Sequence, residues 1–164
     1  MAQGFFELTT PRDLLEKLKR EYERLRQSPL DQDVAFNLFS TAEHISDWLY
    51  PGYKNRIKRK NLRASNVLLQ ICSHIASGLK HFQVEDKHHK SVSGMSVAEG
   101  PFDSNIFQND AFDVGHLAID LNEDAAKQLG PSINALELAG KVLEFWIKHI
   151  EGKTSNTAFN PDAE

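Results

Sequence analysis

One cysteine in 164 residues leaves the chain without an internal disulfide, so its stability has to come from packing. That residue, Cys72, stands among apolar neighbours, where a buried and inert thiol is expected. No run approaches the roughly 18 apolar residues of a membrane-spanning helix. Met1 to Glu7 lacks the basic and long apolar regions of a signal peptide, so a cytoplasmic protein with no membrane partner is expected. Glycine loops that cradle nucleotides, Cys-x-x-Cys pairs, a Gly-x-Ser-x-Gly elbow and two histidines four apart around a glutamate are all absent. With them go the common signatures of nucleotide, redox, hydrolase and zinc chemistry. No cofactor and no metal is expected.

What remains is globular: 40 % apolar and 26 % charged residues are too apolar for disorder and too polar for a membrane. The length suits a single domain, placed at 1–151, with a polar, unpatterned and flexible tail at 152–164. Charge is uneven. Residues 1–84 hold 13 Lys/Arg against 9 Asp/Glu, a net +4, whereas 85–164 hold 6 against 14, a net −8. From Trp48 to Val84 there is no acid, and six of the seven cations there form one cluster: Lys54, Arg56, Lys58, Arg59, Lys60 and Arg63.

Periodicity predicts a mainly α fold, a bundle of about four helices with a small antiparallel hairpin before the last. Thr10, Pro11 and Asp13 form a capping signal for a first helix, apolar at Leu14, Leu15, Leu18, Tyr22 and Leu25. Asp31 or Asp33 caps a second, striped by Val34, Leu38, Thr41/Ala42, Ile45 and Leu49, which Pro51-Gly52 ends near Tyr50. The basic cluster then reads as a loop to about Arg63. A third helix spans roughly Ala64 to Phe82, with Val67, Leu68, Ile71, Ile75 and Gly78 on one side. Alternation at Ser91–Val97 and Val114–Leu121 predicts the hairpin, within about 91–121. Its long connection carries Phe102, Ile106, Phe107 and Phe112 and reads as a packed or binding loop. Asn122 and Gly130 bound a short helix, and Pro131 opens a last long one to about Ile150. That helix is apolar at Ile133, Leu136, Gly140, Leu143, Ile147 and Ile150, and again at Leu138, Val142 and Phe145. Apolar on both sides, it is expected to be buried or pinned in a homodimer.

Candidate chemistry centres on histidine. His44 flanks the second helix's stripe with Asn37, Thr41 and Trp48, while His74 and His81, with Lys80 beside the latter, flank the third. Packed antiparallel, these flanks converge on a polar pocket able to hold a base, a phosphate or a metal ion. The competing explanation is that each histidine is half-buried and hydrogen-bonded to a neighbour. His88-His89 sits in a charged stretch and reads as a solvated turn, and Asp47 comes out on the far side of the second helix from its apolar stripe, which is expected to keep it from His44. The basic cluster can bind phosphates of RNA or DNA, although only Tyr50 and Tyr53 are near enough to stack on bases. If that stretch is a solvated loop, neutralising Lys58, Arg59 and Lys60 together should hardly change stability.

The stretches Phe39–Trp48, with its His44-x-x-Asp47-Trp48 pattern, and Ile71–Phe82, ending in Lys80-His81-Phe82, resemble a family of small bacterial proteins of undetermined function. In that family a short hairpin and a Phe-Trp-bearing helix follow, as Phe145-Trp146 does here. The helical part is also similar to the HEPN superfamily, which includes toxin RNases, defence proteins and non-catalytic partners of nucleotidyltransferases. The resemblance implies a helical core. Active HEPN nucleases carry an arginine four to six residues before a histidine. This chain has no such pair, Arg63 and His74 being eleven apart. The expected function is therefore a non-catalytic binding or regulatory module with a protein partner or a second copy. The alternative is an RNA-binding protein or ribonuclease using the histidines and the basic cluster.

Overall fold

Thr10 starts the first helix by a reciprocal exchange: its hydroxyl accepts from the Asp13 backbone N–H at 3.2 Å, and the Asp13 carboxylate accepts from the Thr10 N–H at 2.8 Å. The computed structural model describes residues 6–80, 90–98 and 115–155, without the side chains of 79–80 and 153–155. In chain order its elements are α1 (Pro11–Gln27), α2 (Gln32–Leu49), α3 (Arg56–Ala64), α4 (Val67–Lys80), β1 (Val92–Ala98), β2 (His116–Leu121), α5 (Glu123–Leu129), β3 (Ser132–Asn134) and α6 (Ala135–Ser155). The four long helices, the short α5 and the β1–β2 pair are the expected mainly α plan.

Of the two expected caps of α2 the structure uses Asp31, its carboxylate accepting from the Val34 N–H at 3.0 Å. Three details differ from the expectation. The basic stretch is no loop but a 3₁₀ turn at Tyr53–Asn55 followed by α3. Its Lys, Arg, Leu and Ala residues favour helix, and none of them is fully buried. An inward face of two arginines and one leucine, Leu62, carries no apolar period to detect. α4 begins at Val67, three residues later than expected, with the Asn66 side chain accepting from the Leu68 N–H at 2.8 Å. Finally, Pro131 does not open the last helix. Its carbonyl accepts from the Leu121 N–H, and Ser132–Asn134 pairs antiparallel with Ala118–Asp120. Three residues are too few for alternation to register.

The sheet order is β1-β2-β3, antiparallel throughout, with an irregularity between Val92 and Gly94. α6 is the central helix. Ala135, Leu138, Ala139, Val142 and Trp146 form its fully buried row, and it touches α1, α2, α4, β2 and β3. Being apolar on two sides thus answers to layers within this fold. The row read first from sequence, Leu136, Leu143 and Ile147, is the half-buried flank. Gly140 lets α1 approach closely, since a Cβ there would stand 3.3 Å from the Tyr22 hydroxyl. No helix among the described residues is long and apolar enough to cross a membrane. Residues 152–155, expected in the flexible tail, belong to α6, whereas His81, Phe82, His88, His89, the 99–114 connection and residues 156–164 of the tail lie outside the described residues.

Candidate interaction site

α2 packs through Ala35, Leu38, Phe39, Ala42, Ile45 and Ser46. That rotation leaves Asn37 and His44 exposed, although Thr41 is buried and Trp48 half-buried. No hydrogen bond or ring contact joins His44 to His74. His74 faces the sheet from α4: its Nδ1 accepts from the Val92 N–H at 3.0 Å, with the Ser91 hydroxyl 3.4 Å away. A backbone N–H can only donate, so this Nδ1 is unprotonated, and the ring holds the start of β1 against α4. Lys80 ends α4. Among the described residues no three side chains of His, Cys, Asp or Glu gather as metal ligands.

The six clustered cations divide by helix face. Lys54, Arg56, Lys58 and Lys60 are exposed, and the Arg56 guanidinium lies 4.2 Å from the centre of the exposed Tyr53 ring. Arg59 and Arg63, four apart on α3, turn inward onto Glu43 and Asp47, four apart on α2. Arg59 Nε is 2.9 Å from Asp47, and Arg63 Nε is 2.6 Å from Glu43. Arg59 also donates to the Tyr50 and Gly52 carbonyls. α2 has no basic residue in its own last turn, and Arg59 supplies that cation from outside. Gly52, at φ 79°, makes the turn that brings α3 back. Burial pushes the Glu43 carboxyl up to about 7 against the pull of Arg63, with Asp47 adding to the rise and the Ser73 hydroxyl opposing it. Burial also pushes the Cys72 thiol far up, as an inert thiol requires.

The feature that composition did not announce is a largely apolar groove of about 440 Å³ between the N-terminal half of α2 and the sheet, with Gln32 and Asp33 lining its helical end. Its floor includes Phe39, Ile75, Leu117 and Ile119, and its rim includes Phe36 of α2 and Met95 and Val97 of β1. Met95 stands opposite Ile119, and Val97 opposite Leu117. Directly opposed residues in an antiparallel pair share a face, so all four side chains belong to the face that packs on the helices. Yet Ile119 and Leu117 are 2 % and 8 % exposed, whereas Met95 and Val97 are 55 % and 48 % exposed. The helical layer covers β2 and the start of β1 at Val92, and stops short of Met95 and Val97. β1 is also the sheet's edge, pairs on its outer side with no described strand, and contains neither charge nor proline.

The sequence held traces of this site. Phe36, 42 % exposed, stands outside the second helix's stripe, and Met95 and Val97 are the apolar members of a weak alternation. Only the strand register shows that they share a face with buried residues. Glu43 gave no such trace, because its burial depends on α3. No family model, curated protein or solved structure matches the chain.

Proposed function

We propose that this protein is a non-catalytic interaction module that takes an extended, uncharged segment by adding it as a strand to β1, with the segment's apolar side chains over the groove. The observation that carries this is the overhang of Met95 and Val97 from the packed face of an uncharged edge strand. Backbone groups along the outer edge of β1, which no described strand pairs, supply affinity for a strand, and the groove supplies selectivity for apolar residues at alternate positions. The HEPN resemblance suits such a role in a member that lacks the arginine–histidine pair. Fluorescence anisotropy with an uncharged peptide of alternating valine and serine tests it. Val97→Lys should weaken binding at least about tenfold, because a cation would then stand at the groove rim. Equal binding by the variant, or preference for a charged peptide, counts against it.

A second reading has its own support. Lys54, Arg56, Lys58 and Lys60 present four cations beside an exposed tyrosine, a face suited to single-stranded RNA. Neutralising all four as glutamine should then flatten the dependence of log affinity on log salt by a slope of about 3. A salt response unchanged by these substitutions removes this reading, and cleavage of the RNA would overturn the non-catalytic one.

A further inference from the structure

We propose that the outer face of α3 docks on an anionic phospholipid bilayer, with Ile57 inserted among the headgroups and Lys54, Arg56, Lys58 and Lys60 on the lipid phosphates. With about 3.6 residues per turn, α3 turns Arg59, Leu62 and Arg63 toward the protein and Ile57 to the opposite side. Ile57 is 58 % exposed at the centre of that side, with Lys58 and Lys60 flanking it. Tyr53, one turn earlier, is 76 % exposed and has the Arg56 guanidinium over its ring. An aliphatic side chain and a tyrosine among long cationic stems suit the boundary between headgroups and acyl chains. Both flanks of α3 belong to the described residues, which run unbroken from 6 to 80, and among the described residues no acid pairs with the four outer cations.

Charge fixes the sign of the partner. No acid lies between Trp48 and Val84, and the α2 carboxylates that face α3, Glu43 and Asp47, are taken by the inward Arg63 and Arg59. Four uncompensated cations thus share one face of a chain whose net charge is −4, so an anionic surface attracts this face and repels the rest. Ile57 then selects a bilayer over RNA, the other polyanion suited to these cations. Bases stack on rings, and an aliphatic side chain gains nothing from phosphate or sugar. A bilayer offers a plane of phosphates with an apolar layer beneath it, and takes up both kinds of side chain. The expectation of no membrane partner came from the lack of a long apolar run, and no helix among the described residues can cross a membrane. A peripheral contact needs no such run, because the cations supply most of the attraction.

Co-sedimentation of the full chain with vesicles of phosphatidylcholine alone, and of equal parts phosphatidylcholine and phosphatidylserine, tests this, with circular dichroism checking the helices of each variant. The expected result is binding to the anionic vesicles only. Lys54→Gln, Lys58→Gln and Lys60→Gln together should weaken it about a hundredfold. Ile57→Ser, which leaves the charge intact, should weaken it at least about tenfold. Should Ile57→Ser fail to fold, Ile57→Trp decides: on anionic vesicles its emission should shift to the blue, beyond any change in the unsubstituted chain. No binding to anionic vesicles, equal binding to neutral ones, binding indifferent to Ile57→Ser, or an Ile57→Trp emission that stays in place overturns the proposal. Single-stranded RNA bound through the same lysines while the vesicles stay unbound overturns it in favour of RNA as the partner of this face.

Discussion

Glu43 is the residue whose charge state the fold controls most directly. Its folded carboxyl titrates at about 7, whereas an unburied glutamate titrates near 4.5. Between those values the folded state binds more protons than the unfolded one, so stability falls as pH rises from about 4.5 to 7 and stays lower above. The fall should be about 2–4 kcal/mol, at roughly 1.4 kcal/mol per pH unit. Urea midpoints at pH 5 and pH 8 check this, and Glu43→Gln should remove the difference between them. The two described histidines of the candidate cluster, His44 and His74, separate in the same way. His44 is exposed, so His44→Ala should change stability by no more than about 0.5 kcal/mol. His74→Ala leaves the Val92 N–H without its acceptor and should cost about 1–3 kcal/mol, with loss of hydrogen-exchange protection concentrated in β1. Equal effects of the two substitutions would contradict the tether assigned to His74. Spacing alone placed both rings on stripe flanks. It could not tell which flank would meet the sheet, because that depends on how far each helix rotates in its packing.

At the scale of elements, α3 shows why one type of helix escapes periodicity. Its inner face carries Arg59 and Arg63, held by carboxylates of α2, with Leu62 as the one apolar residue packed on the core, so the burial that shapes it is largely electrostatic and leaves no apolar stripe. Neutralising Lys58, Arg59 and Lys60 together is therefore not silent, contrary to the expectation for a solvated loop. Arg59→Gln should carry nearly all of the loss, about 1–3 kcal/mol, because the Tyr50 and Gly52 carbonyls past the end of α2 lose this donor and Asp47 keeps only Arg63. Lys58→Gln and Lys60→Gln should each stay within about 0.5 kcal/mol. Thermal unfolding of the three single variants checks the division, and a loss spread evenly among them would refute it. Helices with apolar faces were legible: α1, α2 and α4 stand close to where capping residues and stripes put them, and α6 follows its stripes although it starts four residues after Pro131 and runs on to Ser155. β3 was not, since three residues next to a proline carry too little pattern and owe their strand to pairing with β2.

For the molecule as a whole, α6 organises the core, with helices on one side and the sheet on the other. Leu138→Ala, at a position with no exposure, should cost about 2–5 kcal/mol through the cavity it leaves, and Leu143→Ala on the half-buried flank should cost less. Guanidinium denaturation of both variants measures the contrast, and equal losses would mean that the two flanks had been misassigned. The charge asymmetry along the chain does not carry through to the surface cluster by cluster, because two of the six clustered cations are committed to internal ion pairs. By itself the amino-acid sequence determined the mainly helical plan, the capped start of α1, the hairpin's two strands and the burial of Cys72, because each follows from local periodicity, capping chemistry or composition. Only the tertiary structure decided that Arg59 and Arg63 face inward, that His44 and His74 lie on different surfaces, and that Met95 and Val97 overhang an apolar groove. Those properties belong to the distance between elements rather than to any one of them, and a strand's exposure depends on how far its neighbours reach.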